Sequence, residues 1–251
     1  METGTIQTTT ADSVTTITFA HPASNALPGA LLRQLAQAIG AAGQATDSAV
    51  IVLQSGGDRA FCAGANFAEL AAIATPEQGQ VFFSGFAGVI NACRCCPKLI
   101  VGRIQGKAVG GGVGLAAAVD YCIATTAASV RLSELLIGIG PFVVGPAIER
   151  KIGLAGFSHL TLNPETAFPA SWATEKGLYN DLADTIAELD MAVLKKAREL
   201  SSYNPDTLRD LKRAFWHGTD HWDKLLTDRA KTSGRLVLSE VTKAAIGRFQ
   251  A

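Results

Sequence analysis

A chain of 251 residues with 22 Lys+Arg against 22 Asp+Glu has no global field to draw in nucleic acid or an anionic membrane, so a charged ligand must be met locally. The length allows a substantial core, in one large domain or two small ones. No uncharged apolar run of about 18 residues would span a membrane, and the polar, threonine-rich start from Met1 to Ser13 shows neither a secretory signal nor a transit peptide. The expectation is a soluble, cytoplasmic protein.

In chain order, Val14 to Ala20 alternates Ile17 and Phe19 with threonines, the pattern of a half-buried strand. The segment from His21 to Pro28 ends it, and from Pro28 the residues Leu31, Leu32, Leu35, Ile39 and Ala42 recur at helical spacing, with Pro28 suited to a first helical turn. Ala49 to Leu53 is a short β-branched run, as in a strand covered on both faces. A loop of small residues, Ser55 to Phe67, follows. Thr75, Pro76 and Gln78 then read as an N-cap, a first-turn proline and a capping-box glutamine, opening a helix that buries Phe82, Phe86, Val89, Ile90 and Cys93.

Leu99 to Ile104, Tyr121 to Ala124 and Ser129 to Leu132 are further strands. Repeated strand, small-residue turn and helix predict an α/β architecture, with ligands near the loops after the strands. Beyond Pro146 the pattern becomes helical: Pro146 to Ile152, Ala170 to Lys176, Thr185 to Leu200, and two helices after Pro205 and His221. A change to helices alone near Ala155 marks a second lobe or an assembly surface.

Five cysteines without a disulfide framework fit reduced thiols. Cys93 and Cys96 have CxxC spacing, and His217 and His221 stand one helical turn apart, but without a second CxxC the expectation is packing and no metal.

The stretch from Gly106 to Asp120 dominates the chemistry. Three consecutive glycines, Gly110 to Gly112, open an alanine-rich helix, which indicates a turn no side chain fits or a ligand against bare N–H groups. Helix-start donors and the positive end of the dipole favour an anionic oxygen, half of an oxyanion site. Gly112 to Ala117 satisfies G-x-G-x-x-A, yet the strand ends at Ile104, too far upstream for a Rossmann turn. A phosphate loop fails because Ala108 stands where Ser or Thr must hold magnesium, and no G-x-S-x-G elbow is present. Downstream, Glu134 is one carboxylate in an otherwise apolar, glycine-broken segment from Ser133 to Pro141. Desolvation among Leu132, Leu135 and Ile137 predicts a raised pKa and proton exchange near neutrality.

Phe61 to Phe67, Gly106 to Gly112, Asp120, and Ser133-Glu134 followed by Gly138 and Pro141 together resemble the crotonase (enoyl-CoA hydratase/isomerase) superfamily, and His21 to Leu27 resembles its N-terminal coenzyme A segment. The resemblance runs through nearly the whole chain in the same order. It implies an α/β crotonase-like (ββα) spiral core, assigned to residues 1–195, and a C-terminal helical trimerisation region, 196–251, of the same functional unit, in a homotrimer or hexamer. It implies an acyl-CoA thioester as substrate, with coenzyme A entering only as part of it and no prosthetic group, metal, nucleic acid or membrane partner. Carried over by position, the N–H groups of Ala65 and Gly111 form the oxyanion hole and Glu134 carries the proton. Ser24, Asn25, Ala26, Ala63, Ala65, Asn66, Phe67, Ala68 and Gly111 line the coenzyme A path.

One departure stands out. Hydratases of this family carry two catalytic glutamates, and the first falls where this chain has Gly114; the aspartate after Ala65 is Asn66. One carboxylate suits double-bond isomerisation, whereas Gly110 to Leu115 resembles the branch assigned to methylglutaconyl-CoA hydratase. The expectation is an enoyl-CoA hydratase, with an isomerase using Glu134 alone as the alternative and a non-catalytic acyl-CoA-binding or assembly protein as the third reading. Trp172, Lys176, Trp216, Trp222 and Lys224 are candidates for a contribution from the tail through a neighbouring subunit.

Overall fold

The computed structural model describes residues 4–250; Met1 to Thr3 of the threonine-rich start, and Ala251, lie outside the described residues. The chain opens with a hairpin of β1 (Thr5–Ala11) and β2 (Val14–Ala20), turned through Asp12 and Ser13, both at positive φ as a tight hairpin turn requires. Helix α1 (Gly29–Gln44) leads to β3 (Val50–Ser55) and the three-residue β4 (Ala60–Cys62). Pro28 is the N-cap of α1, one residue earlier than its expected first-turn place. Next come α2 (Phe67–Ala71), α3 (Pro76–Cys95), β5 (Leu99–Ile104), β6 (Lys107–Val109) and α4 (Gly111–Ala118). Thr75 caps α3 through the Gln78 N–H, but the Gln78 side chain reaches past it to the Ala74 N–H, so the box is only half closed.

After β7 (Tyr121–Thr125) and β8 (Ser129–Arg131), a short 3-10 helix (Glu134–Ile137) precedes α5 (Gly145–Leu162), which breaks at Gly153 (φ 70°) and resumes. The expected helix stop at Ile152 is that break. The remaining chain is not helices alone, as expected from Ala155 onward: β9 (Phe168–Pro169) joins the smaller sheet, and β10 (Asp181–Ala183), after α6 (Ala170–Glu175), pairs in parallel with β7. Helix α7 (Ile186–Ser201) runs unbroken through residues 195 and 196, and α8 (Pro205–Phe215), α9 (Trp222–Leu236) and α10 (Glu240–Gln250) follow.

Two sheets organise these elements. The larger has the order β1-β2-β3-β5-β7-β10 and the smaller β4-β6-β8-β9. The central strands β3 and β5 are almost wholly buried because both sheet faces are covered. On one face Ile51, Leu53, Ile100 and Ile104 join the core under α1 and α3. On the other, Val50, Val52, Val101 and Ile123 meet Leu189, Val193 and Ala197 of α7. The tail packs back onto its own chain: α9 lies along α3 so closely that a Cβ on Gly79 would stand 2.6 Å from Gly234 Cα. Among the described residues no helix is long and apolar enough to cross a membrane.

Candidate active site

The smaller sheet places the chemistry. Strands β4, β6 and β8 run parallel, and the residues after their C-terminal ends are 63–66, 110–112 and 133–134. Three segments far apart in sequence thus meet at one sheet edge, where ligands of open α/β sheets are expected. Ala63, Ala65, Gly111 and Glu134 line one cavity of about 70 Å³, walled mainly by Phe83, Phe86, Ile137, Phe142 and Val144.

Glycines make this convergence possible. Gly64 sits at φ +87°, where a Cβ would stand 2.8 Å from Val109 O; its absence lets the 64–66 loop lie against Gly111 N. Gly110 adopts φ 52°, ψ −115°, and the Glu134 carboxyl occupies the space a Cβ would fill, 2.9 Å from its Oε1. A Cβ on Gly111 would meet Phe86 at 2.1 Å.

The loop 64–66 is held from behind. Leu27 N–H donates to Gly64 O at 2.8 Å and Asn66 N–H to Leu27 O at 3.2 Å, which turns the intervening Ala65 N–H the other way. Gly111 is the first residue of α4, where a helix leaves its N–H without an internal partner. Among the described residues neither the Ala65 nor the Gly111 N–H has a protein acceptor. Two unsatisfied backbone donors therefore border the cavity that Glu134 enters.

Glu134 Oε2 is buried without a hydrogen-bond partner, and desolvation pushes the carboxyl up to about 7, opposed in part by its own backbone N–H. Leu132 and Ile137 are buried beside it as expected, but Leu135 is 43% exposed and points away. The apolar surroundings come instead from phenylalanines and valines brought in by α3 and the 141–144 turn.

A model of the enoyl-CoA hydratase/isomerase family matches residues 9–242. The chain is 30% identical over 213 residues to a Bacillus subtilis protein described as bacillaene synthase dehydratase PksH, covering 83% of this chain and 79% of that one. The chain belongs to the enoyl-CoA hydratase/isomerase, or crotonase, family. It is also 30% identical over 200 residues to the mouse mitochondrial methylglutaconyl-CoA hydratase, spanning 78% of this chain but only 63% of that protein's length. The crystal structure of an enoyl-CoA hydratase from Bacillus halodurans superposes with a TM-score of 0.89 at 22% identity, covering 97% of this chain and 99% of that one, which shows the crotonase fold.

The residues expected on the coenzyme A path of a crotonase fall into two groups in the structure. Ser24, Asn25 and Ala26 line neither the cavity nor the groove beside it. Ser24 O accepts from Ala63 N–H, Ala26 is buried, and the Asn25 amide donates to Gly56 O and Ala60 O while its Oδ1 accepts from His21 N–H. These residues brace the 63–66 loop. Asn66 caps α2 by accepting from Glu69 N–H at 3.0 Å, and Phe67 lines the cavity. Ala68 and Asn66 face an open apolar groove of about 850 Å³, whose far wall is His21, Pro22, Ala23 and Leu31.

At position 114, where hydratases of the family carry their first glutamate, a Cβ would stand 2.4 Å from Val144 Cγ1. The volume is filled by valine. None of the aromatic and basic tail residues singled out in the sequence lines the cavity: Trp172 packs on Phe168 and His159, Lys176 pairs with Glu175, Lys224 with Asp228, and Trp216 stacks edge-on with Trp222. Among the described residues of the tail, Ser233 of α9 does line it, from within the same chain. No periodic or motif signal marks that serine. Cys93 and Cys96 are buried thiols with pKa values raised by desolvation, and among the described residues no group of three His, Cys, Asp or Glu side chains could hold a metal ion.

Proposed function

We propose that this crotonase-family chain adds water across the Cα–Cβ double bond of an enoyl-CoA thioester, or removes it from the β-hydroxyacyl thioester, with Ala65 and Gly111 as oxyanion donors and Glu134 as the proton carrier. The observation that carries this reading is the convergence on a single apolar cavity of two acceptor-free N–H groups and one carboxyl whose Oε2 has no hydrogen-bond partner. A dehydratase and a hydratase among the relatives support the reaction type.

In the eliminating direction the Glu134 carboxylate removes the proton α to the thioester carbonyl, and the electron pair moves onto the carbonyl oxygen. The two N–H groups stabilise that enolate, each by about 3 kcal/mol in comparable acyl sites. Collapse of the enolate forms the Cα–Cβ double bond and expels the β-hydroxyl, which takes the proton back from Glu134 and leaves as water. One carboxylate thus completes the cycle unchanged. A carboxyl titrating near 7 holds either protonation state at neutral pH, as this double duty requires. The acyl group enters the apolar cavity beside Ala65 and Gly111, and the coenzyme A portion of the substrate follows the 850 Å³ groove past Ala68. No prosthetic group enters the scheme.

The second reading is isomerisation of a β,γ-enoyl thioester, favoured by Val144 filling the place of another carboxylate. Incubation with crotonyl-CoA, methylglutaconyl-CoA and a β,γ-enoyl-CoA separates the two. Hydration of either of the first supports the proposal; isomerisation of the third alone overturns it. The chain acts as a homotrimer or hexamer, for which sedimentation velocity is the test. Turnover that survives Glu134→Gln undiminished overturns Glu134 as the proton carrier, and no turnover of any of the three substrates leaves acyl-CoA binding or assembly as the role of the chain.

A further inference from the structure

Resting on the water-adding reading above, we propose that Ser233, carried into the site by the C-terminal helix α9, is the group that positions the water, or the departing β-hydroxyl, opposite Glu134. Ser233 is 1% exposed and lines the same cavity as Glu134, Ala65 and Gly111. Serines and threonines in helices commonly return their hydroxyl to a carbonyl one turn back, and Thr227 and Thr232 of this same helix do so, to Asp223 O and Asp228 O. Among the described residues the Ser233 hydroxyl has no hydrogen-bond partner.

Packing does not ask for that hydroxyl. The crossing of α3 and α9 demands small residues, since a Cβ on Gly234 would stand 2.5 Å from Gln80 N, and alanine at 233 would meet the demand as well as serine. A buried hydroxyl without a partner is unfavourable unless something else fills its hydrogen-bonding capacity. Apart from Ser133, Glu134 and Ser233 the side chains lining the cavity are apolar or absent, so a water inside it has its side-chain partners among these three.

In the hydrating direction Ser233 Oγ accepts one O–H of the water. Glu134 takes the other proton as the water oxygen bonds to Cβ, and the displaced π electrons reach the thioester oxygen between the two N–H donors. Glu134 then returns the proton to Cα. Ser233 transfers no proton. It fixes which lone pair faces Cβ, the task that a second carboxylate at position 114 would perform and that Val144 prevents.

The test is Ser233→Ala, which keeps the helix, assayed in two ways. Hydration of crotonyl-CoA or methylglutaconyl-CoA depends on placed water. Exchange of the α-protons of butyryl-CoA into D₂O, followed by NMR, needs only Glu134 and the two N–H donors. Hydration is expected to fall roughly 10- to 100-fold, with exchange held within about twofold. Equal loss in both assays, or undiminished hydration, overturns the role of Ser233. A wild-type protein that exchanges α-protons but hydrates neither substrate also overturns it, while leaving the Glu134 site standing; absence of both activities overturns the site reading as well.

Discussion

Two carboxyl groups buried in this molecule are provisioned in opposite ways. Asp120, whose side chain is 4% exposed, is fully engaged: Lys212 Nζ lies at 2.5 Å from Oδ2, Ile100 N–H donates to the same oxygen, and Trp216 Nε1 donates to Oδ1. Glu134 Oε2 has no partner at all, and its carboxyl is pushed up to about 7. A buried charge surrounded by donors anchors structure, here clamping α8 to the strands β5 and β7. A buried carboxyl denied donors is left ready to trade a proton. Burial alone does not distinguish the two, and the partner count does.

The sharpest way to break this contrast is to neutralise each member. Glu134→Gln removes the proton carrier at constant shape, so turnover of the accepted acyl-CoA is expected to fall by roughly 10²- to 10⁴-fold with the fold retained, read by steady-state kinetics and circular dichroism. Lys212→Met strands Asp120 with an uncompensated charge. Urea unfolding is expected to show a loss of about 3–5 kcal/mol, with activity per folded molecule little changed. If the Lys212 change lowered kcat while stability held, Asp120 would belong to the chemistry after all.

Restoring the missing carboxylate tests why it is missing. Gly114→Glu drives a side chain into Val144 and should destabilise by about 1–3 kcal/mol without gain of activity; adding Val144→Ala should recover part of the stability, measured by thermal melting of both variants. The smallest effect is on the pH dependence of stability. Between the ordinary value of 4.5 and about 7 the folded protein holds a proton on Glu134 that the unfolded chain has released. That contribution is present at acid pH and is lost as pH rises through about 7. Compared with Glu134→Gln, the wild type should therefore lose stability over this window, while its turnover, which needs the ionised base, rises. Parallel stability curves for the two proteins would contradict the raised carboxyl.

Much of the larger sheet was legible in the residues. Leu99–Ile104 is apolar enough, and Val14–Ala20 alternates clearly enough, that period and length identify them as strands. The strands β4 and β6 were not, because a three-residue strand has no measurable period and exists only through its neighbour's hydrogen bonds. β1 escaped for another reason: as an exposed edge of threonines it lacks an apolar face, and its turn is Asp-Ser, where Asn-Gly would have signalled a hairpin.

The sequence by itself determined where backbone is bare, at Gly110 to Gly112 and in the small-residue loop at 63–66, and where a lone carboxylate stands among apolar residues, at 134; the resemblance to the crotonase family is what joined the three. Glycine, which has no Cβ, and a carboxylate among apolar residues carry physical meaning without coordinates. Only the tertiary structure decided which groups share the cavity. The parallel ends of β4, β6 and β8 bring Ala65, Gly111 and Glu134 together, Val144 occupies the space at Gly114, and the packing of α9 on α3 delivers Ser233. Those facts concern distances between segments up to about 170 residues apart, and such distances are set by sheet register and helix crossing, which no local pattern of residues encodes.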